Sequence, residues 1–600
     1  MAAAPPPAPP PPPPPPPAGT AHGPPPPRKP GAAAAPAWAA APAAARYALP
    51  VDAERKATRL ALLSFAAPHM RAFHLSWLAF FLCFFSTFAA AAVLPIVRDE
   101  LDLSQTDIGN AAIASVCGAI GSRVLMGSLV DAAGPRWAAA ALLLLTAPAV
   151  FGMALVKTPA GFVALRAVIG LNLSMFVVDQ FWVASMFGAR IVGLANAASA
   201  GWGNMGGGVA MLVMTALVDG ISRHVPVNQA WRWSLMVPGA LQVLCGAAVL
   251  LWADDSPDGR RPLPGAGPSP RAPPPAQLPT SLPCVGAAAP AAAAPAGRRR
   301  RARRCAPPRV PAAVLNYRTY LLALSYALSF GVELTVNNIL TTYFFDQFGV
   351  SLSAAGLLSS VYGLMNLFSR AAGGAASDAA AARGGMRGRV WALFCAQLLG
   401  GVTCVLVGVA FTSLAGTVAA LVAFSLATQA ACGCVFGVVP FLSRRDPGLA
   451  IGIVASGGNV GSAVLQAVYF TFFDFAPHEG FFWMGITVAG LSGALLLLHF
   501  PQWGGMLCAP RAGASEEGYY LSEWSQQERA SGLHLAALAF AHEAKSQRGW
   551  GGGGGGGCCC GGCCCCGGCC GGGGAEPRVA SFAAAAAGPE TPGAAAGAVR

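Results

Sequence analysis

Charge is scarce in this chain: only 10% of its 600 residues are Asp, Glu, Lys or Arg, against about 25% in a soluble globule. That shortage excludes a large water-facing surface around a soluble core. Paired cysteines are missing too. Of nineteen cysteines, nine crowd into the run Cys558 to Cys570, and most others, such as Cys117, Cys245 and Cys432, fall in apolar stretches. No disulfide framework is indicated. The Gly-Cys run lacks zinc-site spacing and nearby histidines, so neither metal nor cofactor is expected. No stripe of aromatics interleaves with Lys and Arg, and the +13 charge gathers in loops and tails, above all at Arg298 to Arg304. Nucleic acid is therefore not an expected partner. Nor is there a nucleophile–base pair or a phosphate loop, and an enzyme is not expected.

What is present is apolar. Hydrophobic residues make up 55% of the chain, in recurring runs of about 20 residues, each able to cross a ~30 Å hydrocarbon core in contact with lipid. Spans are expected near 74–96, 107–130, 137–156, 159–183, 190–218 and 232–252, then near 319–345, 353–377, 389–411, 415–440, 448–473 and 480–500. The predicted fold is an all-α membrane protein of twelve helices in two pseudo-symmetric six-helix halves, 71–252 and 319–505. Around them lie an Ala/Pro-rich N-terminus (1–70), read as disordered, a basic Pro-rich linker (253–318) and a low-complexity tail (506–600). Short loops rich in arginine (Arg136, Arg190, Arg383, Arg387, Arg389, Arg444, Arg445) alternate with acidic ones (Asp99, Glu100, Asp219, Asp346, Asp474, Glu479). Both termini are then expected on the cytoplasmic side.

Two motifs recur between the halves. Arg123, Gly127 and Asp131 end the second span, and Arg370, Gly374 and Asp378 end the eighth at the same spacing. Gly193-Leu-Ala leads to Gly203-Asn204 in span five, and Gly448-Leu-Ala to Gly458-Asn459 in span eleven. Duplicated halves holding substrate at the midplane are a common transporter plan. Each arginine lies eight residues before its acid, ~12 Å inward, and each asparagine eleven residues after its glycine, ~16 Å inward. Two arginines and two asparagines thus share one depth.

A charge there costs ~3 kcal/mol or more. The nearest acids along these two spans are Asp131 and Asp378 at their ends, two turns away, so anion binding is expected over ion pairing. A guanidinium fork matches a planar oxyanion. Gly203, Gly206, Gly458 and Gly461 around the asparagines either pack helices or let backbone approach a small ligand. The loop Gly127, Asp131, Gly134 and Arg136, with Gly374 and Asp378, is too peripheral for substrate and reads as gating or capping.

This loop resembles the loop motif of the major facilitator superfamily. Ordered strings across roughly 70–505 resemble the plant and algal high-affinity branch of the nitrate/nitrite porter family. Among them are Phe73-His-Leu-Ser-Trp-Leu, Ser86-Thr-Phe-Ala-Ala-Ala, Ala200-Gly-Trp-Gly-Asn-Met-Gly-Gly-Gly, Phe330-Gly-Val-Glu-Leu-Thr, Gly457-Gly-Asn-Val-Gly-Ser and His499-Phe-Pro-Gln-Trp-Gly. The resemblance implies that Arg123 and Arg370 clamp nitrate or nitrite with help from Asn204, and that Tyr326 and Phe88 line the site. It also implies a plasma-membrane location and a small single-span accessory protein. Asp179 departs from the pattern and is expected at a water-filled vestibule.

Nitrate entering a negative interior climbs ~2.3 kcal/mol per 100 mV, so accumulation needs more than one proton per anion to run electrically downhill. Glu333, on the same helix face as Tyr326, is the candidate proton carrier, with Arg166 tuning it. A nitrate/nitrite exchanger, a nitrite carrier of the plastid envelope, and a nitrate sensor signalling through its tails remain open alternatives.

Overall fold

The computed structural model describes residues 47–52, 55–188, 191–259, 311–473 and 475–549; the side chains at 128, 131, 132 and 543 are not among those described. Expectations for residues 1–46, Arg190, the Arg298–Arg304 cluster, Asp474 and the Gly-Cys run lie outside these residues.

The first half runs through α1 (His69–Ala92), the short α2 (Leu94–Leu101), α3 (Gln105–Ala133), α4 (Pro135–Met153), α5 (Pro159–Gly170), α6 (Met175–Met186), α7 (Val192–Ser222), α8 (Val227–Ser234) and α9 (Met236–Trp252). The second holds α10 (Ala312–Leu315), α11 (Tyr317–Tyr326), α12 (Val332–Phe348), α13 (Leu352–Leu364), α14 (Ser369–Val409), α15 (Leu414–Val438), α16 (Pro447–Phe470) and α17 (Pro477–Leu491). Starts follow local chemistry. Ser104 and Asp107 form a reciprocal capping box for α3, and Pro135, Pro159, Pro447 and Pro477 open their helices, where a missing N–H costs nothing.

Among the described residues, eleven helical segments are long and apolar enough to cross a membrane. One of them, Leu352–Val409, has 58 residues, about 87 Å of helix and enough for two crossings. It divides at Gly385, whose φ of 60° and ψ of −143° break the helix inside α14. Twelve crossings result.

Three breaks fall near the middle of spans. A 3-10 turn over Leu171–Ser174 separates α5 from α6, a π-turn over Ala327–Gly331 separates α11 from α12, and a 3-10 turn over Met365–Leu367 separates α13 from α14. Interruptions of this kind turn backbone groups toward neighbours or ligands. The halves meet where α3 packs on α16 and where α7 packs on α13 and α14. At one end Arg98 reaches Asp346 across the halves at 2.8 Å.

The start of the tail differs from the low-complexity reading. The second half closes on a small hairpin of His499–Phe500 with Gly504–Gly505, and within the tail α18 (Glu516–Leu521), α19 (Gln526–Ala530) and α20 (Leu535–Ala544) follow. These helices are seated by contacts distant in sequence. Glu523 accepts hydrogen bonds from the backbone N–H groups of Arg444 and Arg445 at 2.9 and 3.0 Å, Glu528 pairs with Arg445 at 2.8 Å, and Gln547 accepts from Arg389 at 2.8 Å. Polar composition concealed this because the anchors are charged residues of the loops. Residues 47–52 and 55–66, expected as disordered, carry bends and isolated bridges, including Val51 to Ala57 and Ala57 to Phe187.

Candidate functional site

Arg123 projects from α3 and Arg370 from α14, and both are buried. Arg123 donates from Nε and Nη2 to the carbonyl of Leu173, at 3.2 and 3.0 Å, and from Nη1 to the carbonyl of Ala455. Leu173 sits in the 3-10 break of its own half, and Ala455 belongs to α16 of the other half. Among the described residues, every hydrogen-bond acceptor of Arg123 is a neutral carbonyl. Its hydrogen bonds are met and its charge is not, an arrangement that favours an anion.

Arg370 is different. Its Nη2 lies 2.7 Å from Glu333 Oε2, its Nε donates to Asn366 Oδ1 at 3.3 Å, and its Nη1 reaches the Tyr326 hydroxyl at 3.5 Å. Asn366 also donates to the other Glu333 oxygen at 2.8 Å. The expectation that neither arginine would pair with a carboxylate is therefore corrected for Arg370. The partner stands on α12, a helix that neighbours its own only in the fold, and inspection of span eight alone does not reveal it.

The Phe330 ring lies between the two charges, 5.2 Å from the Arg123 guanidinium and 5.5 Å from that of Arg370. The charges are no farther apart than those two distances laid end to end. Tyr326 stacks on Phe330 at 4.9 Å with a 10° interplanar angle, and Phe176 stacks on Phe330 at 6.3 Å. Phe436 meets both Tyr326 and Phe176 edge-on, at 5.1 and 5.2 Å. An aromatic box thus adjoins two cations, one of them paired with a carboxylate.

Each arginine lies against the glycine–asparagine segment of the opposite half. Ala455, held by Arg123, is one turn before Asn459, and Gly201, one turn before Asn204, abuts Arg370 so closely that an added Cβ would lie 3.7 Å from the arginine's own Cβ. Asn204 donates to the Ala200 carbonyl at 2.8 Å and leaves its Oδ1 unpartnered; Asn459 has neither amide atom partnered, and both side chains are buried. Orphaned polar groups at this depth are costly and suit a small polar ligand.

Other expected site residues stand elsewhere. Gly203 faces the Phe80 ring, Gly206 the Phe81 carbonyl and Gly461 Ala327, with hypothetical Cβ atoms at 1.9, 2.2 and 2.5 Å from those groups. These three are packing positions without room for a ligand. Gly458 backs the Tyr326 and Phe330 rings, at 2.9 and 2.7 Å by the same measure. Phe88 touches Phe84, which stands between it and Phe330, so it is one ring removed. Arg166 donates to the Thr87 carbonyl and, at 2.8 Å, to Asn338 Oδ1, whereas Glu333 is held by Arg370 and Asn366. Asp179, expected at a vestibule, is wholly buried.

In the loop expected to serve gating or capping, Gly134 has φ 87° and caps α3, while Arg136 pairs with Asp255 at 3.5 Å and donates to the Leu250 carbonyl. Gly127 approaches the Gly448 carbonyl and Gly374 approaches Ala197, each across the halves. Asp378 pairs with Arg389 at 2.5 Å. The Asp131 side chain lies outside the described residues.

Sequence reasoning missed Phe176, Phe436 and Asn366, and it quoted Phe330 only within a string. Phe330 follows Tyr326 by one helical turn, a signal that was available. The others carry no periodic mark.

A family model described as Major Facilitator Superfamily matches residues 76–378. Nitrate transporter 2.1 of Chlamydomonas reinhardtii is 46% identical over 512 residues, covering 84% of this chain and 88% of the algal protein. High affinity nitrate transporter 2.5 of Arabidopsis thaliana is 43% identical over 507 residues, covering 84% and 94%. High-affinity nitrate transporter 2.3 of Oryza sativa subsp. japonica is 42% identical over 506 residues, covering 84% and 92%.

Proposed function

The chain belongs to the major facilitator superfamily, among the plant and algal nitrate transporters, and from that premise we propose that it imports nitrate, with nitrite as a second substrate, by proton symport. It is a multi-pass membrane protein and not an enzyme. The observation that carries the reading is Arg123, a buried cation whose hydrogen-bond acceptors among the described residues are all carbonyls, set beside an Arg370 already neutralised by Glu333.

In this mechanism nitrate displaces the carbonyls from Arg123 and takes their hydrogen bonds, with the unpartnered amides of Asn204 and Asn459 completing the cage. Protonation of Glu333 breaks its pair with Arg370 and frees the second guanidinium for the same anion. An ionised Glu333 holds Arg370 away from substrate, so proton and nitrate bind together. The halves then rock about the closed site, alternately opening it to each face. A plasma-membrane location, cytoplasmic termini and an accessory single-span protein accord with this reading.

The test is nitrate-evoked current in oocytes expressing the full chain, alone and with a candidate accessory protein, at two external pH values. Symport gives an inward current that grows at acid pH. Silence despite surface expression, with labelled-nitrate exchange intact, would make the chain an electroneutral exchanger.

A further inference from the structure

Four carboxylates are buried among the described residues: Asp179, Asp255, Glu333 and Glu516. Three face a guanidinium, that of Arg136, Arg370 and Arg548 respectively. Asp179 does not. It lies inside α6, within the apolar segment Pro159–Met186, one helical turn beyond Phe176 of the aromatic box.

Its contacts are all neutral. The Ser76 hydroxyl of α1 donates to Oδ1 at 2.7 Å, the Ser199 hydroxyl of α7 donates to the same oxygen at 2.5 Å, and the Gln180 amide donates to Oδ2 at 2.9 Å. The charged groups on the elements packed around it are engaged elsewhere. On α1, His69 and His74 hold the carbonyls of Arg55 and Ser64, and Arg71 pairs with Asp254. On α3, Arg123 holds Leu173 and Ala455, and Asp107 caps the helix; the side chain of Asp131 is outside the described residues. Arg136 of α4 pairs with Asp255, and Asp219 of α7 pairs with Arg223. The α16 helix has no charged side chain.

This shell fits both protonation states. A serine hydroxyl donates to a carboxylate, and by rotating it accepts from a carboxylic acid. A guanidinium has no such freedom, because protonating its partner strands a buried charge. Glu333 is therefore tied to the arrival of an anion, whereas Asp179 is not. The ionised form takes all three donors and clasps α1 and α7 to α6; in the acid form the O–H donates back to a serine hydroxyl, so these joints survive the change of charge.

Electrical balance asks for such a group. One proton per nitrate only cancels the anion's charge, and a second is needed before a negative interior draws the loaded carrier inward. Resting on the symport reading above, we infer that Asp179 is the second proton-binding site of the transport cycle. An O–H bond forms on one Asp179 oxygen from water on the outer side. It breaks to water on the inner side, and the carboxylate is regained without redox change.

The experiment compares charge moved with nitrate moved, using labelled nitrate and voltage clamp on the full chain in oocytes. Asp179→Asn is expected to keep taking up labelled nitrate at acid pH while losing the nitrate-evoked inward current, and Asp179→Glu to restore the current. A charge-to-nitrate ratio in Asp179→Asn equal to that of the unmodified protein overturns the inference alone. Exchange without acid-enhanced current in the unmodified protein overturns the symport reading and this inference with it. Should Asp179→Asn fail to reach the surface, Ser199→Ala decides. Loss of one donor to the carboxylate is expected to move the half-maximal current to higher pH, and an unmoved midpoint overturns the inference.

Discussion

Arg123 and Arg370 occupy corresponding positions in the two halves, each against the glycine–asparagine helix of the opposite half and each facing Phe330. Among the described side chains only Arg370 has a carboxylate, Glu333 on α12; α1, in the first half, contains no acid at all. Duplication supplied two matching cations, and divergence of the flanking helices gave them different work. On the mechanism proposed above, one is a standing anion receptor, and the other becomes a receptor only when a proton removes its partner.

That difference can be broken outright. Arg123→Gln is expected to lower labelled-nitrate uptake and binding by about 100-fold or more, and Arg123→Lys to rescue little, because an ammonium lacks the planar fork. Uptake near the unmodified level in either variant would return the anion site to Arg370. Glu333→Gln makes the halves alike by freeing Arg370 permanently. Accumulation against a gradient should vanish while exchange persists, with nitrate binding about tenfold tighter at neutral pH. The unpaired cation should also cost about 3–5 kcal/mol of stability, read as a lower melting temperature that nitrate restores. Unchanged accumulation would remove Glu333 from coupling.

A finer contrast lies in the two asparagines. Asn459 has no partner for either amide atom, whereas Asn204 lacks one only for its oxygen. Asn459→Leu should raise the stability of the ligand-free protein by about 1–2 kcal/mol by removing an orphaned amide, and weaken nitrate binding about tenfold. Loss of stability without loss of affinity would make it a packing residue. The smallest effect concerns the folded tail. Burial pushes the Glu516 carboxyl up, but hydrogen bonds from Arg548, its own helix and Trp503 outweigh this and hold it below the usual range. A lowered folded value means the clasp stabilises fully above about pH 4.3 and weakens as pH falls through the lower folded value. Hydrogen exchange of residues 516–548 should stay slow at neutral pH and quicken only in strong acid; quickening near pH 6 would contradict this.

The repeat and the helical rise located the arginines and asparagines from sequence because both depend only on position along a helix. The Glu333–Arg370 pair was hidden for the opposite reason: α13 and a 3-10 turn separate its members, and contact between them depends on how three helices pack. The break at Leu171–Ser174 holds no proline or glycine and that at Ala327–Gly331 only its closing Gly331, one of many glycines in these spans, yet the two breaks decide which carbonyl and which rings face the arginines. The glycines were legible as close-approach positions, but whether a neighbouring helix or a ligand makes the approach is settled only by packing. Gly203 meets Phe80, and Gly458 backs the aromatic box.

The exchange of Glu333 for an anion at Arg370 can be read directly by adding nitrate to the purified full chain in weak buffer near neutral pH and following a pH indicator. The account predicts uptake of about one proton per nitrate bound, none in Glu333→Gln, and none on adding chloride. Nitrate binding to the unmodified protein with no proton taken up would contradict it.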